Sequence, residues 1–73
     1  MNNWSKVFSS NNIFRAELAK NELLSHEIQA VVLNKKDSNY LLGYCEVYVP
    51  NEHLNIANVI IDLFNQKDNL ETE

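Results

Sequence analysis

Apolar residues along this chain follow two rhythms, a two-residue alternation and a helical spacing, and the points where one gives way to the other divide it into five elements. The first stretch, Trp4 to Ser9, alternates poorly. Trp4, Lys6 and Phe8 share one face of an extended strand and Ser5, Val7 and Ser9 the other, so both faces mix apolar with polar. Ser9-Ser10-Asn11-Asn12 is a turn rich in helix-capping oxygens. Helical spacing then takes over from about Asn12 to His26. Ile13, Ala16, Ala19, Leu23 and Leu24 form one stripe, with Phe14 and Leu18 widening it. The two alanines allow the helix to approach a sheet closely, and Lys20, inside the arc, must run its methylenes along the edge to reach water. No glycine marks the helix end. Glu27 precedes Ile28, which returns the chain to the core.

The run Ala30 to Asn34 is a strand with Val31 and Leu33 on one face and Ala30 and Val32 on the other; apolar residues on both faces predict a central strand. Lys35 to Tyr40 has the composition of a turn or loop, and Gly43, the only glycine, suits a bulge or tight bend. Tyr44 to Val49 alternates cleanly, with Cys45, Val47 and Val49 toward the core and Tyr44, Glu46 and Tyr48 toward a partly wet face. Pro50 ends that strand, and Asn51 and Glu52 read as the N-cap and first turn of a second helix running to about Gln66. Leu54, Ala57, Ile60, Ile61 and Phe64 form its main stripe. Ile56, Val59 and Leu63 lie on the flank, so the apolar surface covers more than half the circumference and needs the tail, the sheet or another chain to cover it. Residues 67–73 read as an acidic, flexible tail, leaving one α+β domain over 1–66.

The length sharpens that excess. A chain of 73 residues forms one domain whose core is marginal without a disulfide, a structural metal or association. Cys45 is the only cysteine, which rules out an internal disulfide and fits a reducing compartment. Cys45, His26 and His53 are too few and too scattered for a zinc site, so no metal or other cofactor is expected. Self-association, most simply as a homodimer, is the remaining supplement. The first residues lack the cationic segment and apolar run of a signal peptide, and no apolar run approaches a membrane span, so a cytoplasmic protein is expected. Ten acids against six scattered bases give a net charge of −4, which argues against a nucleic-acid partner.

The residues able to carry chemistry are few. Asn34-Lys35-Lys36-Asp37 matches the guanine-reading pattern of GTPases, but a chain with one glycine cannot build the phosphate cradle that GTP binding needs. Lys35, Lys36, Asp37, Ser38 and Tyr40 gather cations, a carboxylate and hydroxyls at a loop tip. Such a loop suits a small anionic ligand or a protein partner, but a solvated hairpin accounts for the same residues more readily, because loops are polar by default. Trp4, Tyr44 and Tyr48 can form an aromatic surface on a sheet face, for which cross-strand packing or a subunit contact fits better than RNA, because Glu46 sits between the tyrosines. Ile56, Val59 and Leu63 are the candidate oligomer contact. Cys45, which alternates with Val47 and Val49, reads as buried and inert, His26 as a residue near the end of the first helix, and His53 as a packed or half-exposed residue in the first turn of the second. Glu17, Glu22, Glu27, Asp62 and Glu71 form no carboxylate pair, so no catalytic residue is assigned.

Taken together, Trp4-Ser-Lys-Val-Phe-Ser-Ser, Ala16-Glu-Leu-Ala-Lys, the segment from Ile28 through Asn34-Lys-Lys-Asp-Ser-Asn-Tyr40, and Gly43-Tyr-Cys-Glu-Val-Tyr-Val-Pro resemble a small bacterial family, the putative prokaryotic signal-transducing proteins, in the variety common in Bacteroidetes. The likeness runs from Trp4 to about Phe64. It implies a ferredoxin-like βαββα sandwich, an antiparallel sheet with two helices on one face, related in shape to the nitrogen-regulatory PII proteins. In PII proteins the loop between the second and third strands touches partners; Lys35 to Leu42 holds that place here but is far shorter. Glu27 replaces the family's usual glycine at the end of the first helix. The expected function is a non-catalytic regulatory or signal-transducing binding module. The alternatives are a plain protein-docking domain, or a small-molecule enzyme whose site forms between subunits.

Overall fold

The computed structural model describes residues 2–35 and 45–71, with side chains described as far as Lys67. Its elements run β1 (Trp4–Ser10), α1 (Ile13–Ser25), β2 (Val31–Asn34), β3 (Cys45–Pro50), a 3₁₀ turn (Asn51–His53) and α2 (Leu54–Glu71). The strands form one antiparallel sheet in the order β1-β3-β2. Both helices pack on the same face, giving an α+β fold with a ferredoxin-like arrangement. The expected βαββα order is therefore present, but β2 lies at an edge and β3 at the centre. Val31 and Leu33 are apolar for a different reason from a second covering layer: they flank Tyr48 and Glu46 across the strand pair.

The blurred alternation of β1 has a cause. Ser5 stands opposite Val49 and Lys6 opposite Tyr48, but the next pair is Phe8 with Val47, leaving Val7 as the extra residue of a β-bulge. The bulge shifts the alternation by one position. Trp4 and Lys6 go to the face away from the helices, while Val7 and Phe8 both pack on the core. Phe8 thus leaves the face on which simple alternation put it.

Helix α1 is defined at both ends by side-chain and backbone hydrogen bonds. The Asn12 side chain accepts from the Phe14 N–H at 2.8 Å, and the Ser10 hydroxyl accepts from the Asn12 N–H at 3.0 Å. At the other end the Ile28 N–H donates to the Leu23 carbonyl at 3.0 Å and the Glu27 N–H to the Leu24 carbonyl at 2.9 Å. That is a Schellman motif, and its left-handed position is Glu27, with φ of 64°. Leu23 and Ile28, the pair such a motif brings together, are both buried.

Ala16, Ala19 and Leu23 of α1, with Ala57, Ile60 and Ile61 of α2, close over Cys45, Val47 and Val49. The alanines remove side-chain bulk where each helix crosses the sheet. Leu24, expected in the core stripe, is instead half exposed, and Phe14 and Leu18 face outward. Lys20 reaches Glu17 at 3.0 Å from the rim of the helix. Helix α2 continues to Glu71, past the expected end near Gln66. Asn51 does not cap it. Its N–H donates to the Asn3 carbonyl at 2.9 Å, its side-chain amide donates to the Asn2 carbonyl at 3.2 Å, and its side-chain oxygen accepts from the Ser5 hydroxyl. Asn51 therefore ties the beginning of β1 to the turn after β3. Among the described residues no helix is long and apolar enough to cross a membrane.

Candidate functional site

The register of the three strands decides what stands on the helix-free face. Trp4 and Lys6 come from β1, Glu46 and Tyr48 from β3, and Val31 and Leu33 from β2. The centre of that face is a carboxylate. Glu46 is only 8% exposed, the one charged residue of the described set that is buried. The Tyr48 hydroxyl donates to its Oε1 at 2.9 Å, the Lys35 Nζ lies 3.0 Å from the same oxygen, and the Lys6 Nζ lies 3.4 Å from Oε2. One carboxylate thus joins the first strand, the central strand and the residue just beyond the second.

Electrostatics follow from that geometry. Burial alone would raise the Glu46 carboxyl, but hydrogen bonds from Lys35 and Tyr48 and the positive charges of Lys6 and Lys35 outweigh it and hold the group below the usual carboxylate range. The Tyr48 phenol is pushed up, first by its hydrogen bond to Glu46, then by burial and the carboxylate's charge, against the pull of the two lysines. Glu46 is consequently an anion at neutral pH, and it is surrounded by donors.

Two of the three residues of the expected aromatic surface fall among the described residues. Trp4 and Tyr48 do share the helix-free face, both partly exposed, and Tyr48 is turned onto Glu46. Tyr44 lies outside the described residues, as do Lys36, Asp37, Ser38 and Tyr40 of the loop. Lys35, the first residue of that loop, holds Glu46 and remains about half exposed. The described ring pair lies on the other face: Phe8 and Phe64 meet edge to face with centroids 5.7 Å apart, and the Arg15 guanidinium stands 5.8 Å and 5.7 Å from the two rings.

The flank of α2 is open. Ile56, Val59 and Leu63 are 49%, 53% and 59% exposed, and they border a groove of about 590 Å³ whose opposite wall is His26, Glu27 and Ile28 at the end of α1. His26 and His53 both stand beside a carboxylate of their own segment, Glu22 at 3.4 Å and Glu52 at 3.5 Å. Cys45 is buried in the core, on the helix-facing side of β3.

Pattern reading did not single out Lys6 and Glu46. The signal for them was present in the alternation itself, since Glu46 is flanked by core positions in the most regular strand of the chain. What the alternation lacks is the register that brings Lys6 and Lys35 to it, and the bulge at Val7 sets that register on the β1 side.

A family model described as "Putative prokaryotic signal transducing protein" matches residues 4–65. The span agrees with the resemblance read from the motifs between Trp4 and Phe64. No curated protein and no solved structure matches the chain.

Proposed function

Since the chain belongs to the family of putative prokaryotic signal transducing proteins, we propose that it is a non-catalytic regulatory module that acts by binding. The observation that carries this reading is the Glu46 network. A buried carboxylate clamped by Lys6, Lys35 and Tyr48 fixes the root of the loop after β2 against the central strand. It is saturated with donors and held well ionised, so it suits an anchor better than a proton-transfer group. The loop that begins at Lys35, at the Cys45 end of β3, and the Trp4–Tyr48 face toward its Pro50 end are the two surfaces that meet a small anionic ligand or a protein partner in a cytoplasmic setting. The net charge of −4 speaks against nucleic acid as that partner. The resemblance to PII proteins read from the sequence motifs supports the same loop as the contact.

A thermal-shift screen of the full chain against nucleotides and small anions tests the ligand form of this reading. A ligand that raises Tm in the unmodified chain and fails to do so in Lys36→Ala, with the starting Tm unchanged, supports it. Lys36 is the appropriate probe because Lys35→Ala also unclamps Glu46. A ligand whose effect survives Lys36→Ala and Trp4→Ala together binds elsewhere and defeats the assignment.

The proposed module also self-associates, and a separate observation supports that part. Ile56, Val59 and Leu63 remain about half exposed along α2 in a domain too small to leave apolar area uncovered at no cost.

A further inference from the structure

We infer that α2 pairs antiparallel with α2 of a second copy of this chain, across a two-fold axis close to Val59. The inference rests on the self-association reading above and specifies its geometry. The exposed stripe is spaced three residues from Ile56 to Val59 and four from Val59 to Leu63, which keeps all three on one side of the helix. Its midpoint falls at Val59 and Ile60. An isologous contact, the usual form of a homodimer, places the axis at such a midpoint.

Charge selects the direction. Four residues before Ile56 stands Glu52, with a side chain 78% exposed, and four residues after Leu63 stands Lys67, also exposed. On the helical wheel Lys67 falls beside the stripe and Asp62 about a quarter turn away, while Glu52 stands in the 3₁₀ turn that leads directly into α2. Antiparallel pairing about Val59 sets Ile56 level with Leu63 of the second copy, and Glu52 level with its Lys67, at both ends of the contact. Parallel pairing would bring Glu52 against Glu52 and Lys67 against Lys67. For a chain of net charge −4, whose copies repel at long range, the antiparallel arrangement is the one that places opposite charges together. The groove between the Ile56–Leu63 stretch of α2 and the end of α1 borders this stripe, which gives an apolar side chain of the second copy a place to enter.

Sedimentation velocity of the full chain from micromolar to millimolar concentration reads the outcome. The expected result is a reversible monomer–dimer equilibrium that Val59→Lys abolishes without lowering Tm at low concentration. Glu52→Lys and Lys67→Glu each weaken the dimer about tenfold, by turning two attractive pairs into two repulsive ones, and the double reversal restores it. Val59→Cys links two copies through a short thiol-reactive cross-linker, whereas Asn58→Cys on the far side of the stripe does not; the native Cys45 is buried and stays silent. A strict monomer at millimolar concentration overturns self-association altogether and assigns the stripe to a different protein. A dimer indifferent to Val59→Lys and to both charge reversals overturns the α2 pairing while leaving self-association standing.

Discussion

The Tyr48 hydroxyl donates to the Glu46 carboxylate at 2.9 Å from two positions along the same strand. Residues so spaced share a face of the pleat, so the bond runs along the sheet rather than across it. The two lysines then approach from the neighbouring strand and from the end of the other one. The carboxylate is satisfied from three sides, and its protonation state becomes a term in stability.

The folded chain holds Glu46 below its ordinary value of 4.5. At neutral pH the group is ionised in both folded and unfolded chains, and its bonds stabilise the fold. As pH falls below 4.5, the unfolded chain takes up a proton that the folded chain resists, so this stabilisation is lost progressively as pH passes through the folded-state value. Glu46→Gln should therefore cost about 1.5–3 kcal/mol near neutrality, the usual worth of a hydrogen bond to a charged group. The difference between variant and parent should shrink toward pH 3. Urea denaturation at the two pH values measures both, and an equal cost at each would remove the carboxylate's charge from the account.

Tyr48 carries the opposite arm of the same argument. Its phenol is raised above the ordinary 10.0 in the fold, so the stabilisation it brings is complete below that value and disappears as pH rises through the raised one. Tyr48→Phe should cost about 1 kcal/mol at neutral pH. The variant should also lose less stability than the parent between pH 9 and 11, as followed by circular dichroism. A parallel alkaline decline in the two proteins would show that the tyrosine bond contributes nothing.

Much of this fold is legible in the sequence, and where it is not the reason is physical. The strand Cys45–Pro50 alternates so regularly that its core side, Cys45, Val47 and Val49, could be read directly. The core stripe of α2 was equally plain, because Leu54, Ala57, Ile60, Ile61 and Phe64 repeat with the helical period. The bulge at Val7 was not, since no glycine or proline announces it; the only trace was an alternation that satisfied neither face. β2 reads as a central strand because apolar residues occupy both its faces, yet it lies at an edge, where Val31 and Leu33 are flanked by the partly buried surface of Tyr48 and Glu46. The Glu46 clamp depends on pairing between residues 40 apart in sequence, from Lys6 to Glu46, which no local pattern encodes.

Glu27 offers a stabilising substitution. It occupies a left-handed position, φ 64°, at which any side chain with a Cβ is disfavoured by about 1 kcal/mol relative to glycine. The Schellman hydrogen bonds around it are made by backbone atoms and need no glutamate side chain. Glu27→Gly should raise the urea midpoint by the equivalent of about 1 kcal/mol at unchanged m. A lower midpoint would mean that the Glu27 side chain contributes more than its backbone conformation costs.

Asn12 and Asn51, both candidate caps by sequence, should behave differently. Asn12 accepts from the Phe14 N–H and caps α1, so Asn12→Ala should cost about 1 kcal/mol of global stability. Asn51 instead holds Asn2 and Ser5 at the start of β1. Asn51→Ala should act locally, speeding amide exchange in the first residues of β1 ahead of the core strands. Exchange that accelerates equally in β3 would show that Asn51 supports the whole sheet.

The edge-to-face contact of Phe8 with Phe64 is the consequence of the bulge that bears most on stability. Without the extra residue at Val7, Phe8 would lie on the face with Lys6, away from α2. With it, the ring reaches Phe64 at 5.7 Å and both rings receive the Arg15 guanidinium. Phe8→Ala should cost about 2–3 kcal/mol, somewhat less than for a fully buried phenylalanine because the ring is only partly enclosed. Phe8 and Phe64 should couple by about 0.5–1.5 kcal/mol in a double-mutant cycle, beyond the area each buries. Arg15→Ala should reduce that coupling if the guanidinium orders the rings, and the cycle repeated in that background measures it. Additive losses for Phe8→Ala and Phe64→Ala would mean that the bulge serves only to bury Val7 and Phe8, with no specific pairing to the last turns of α2.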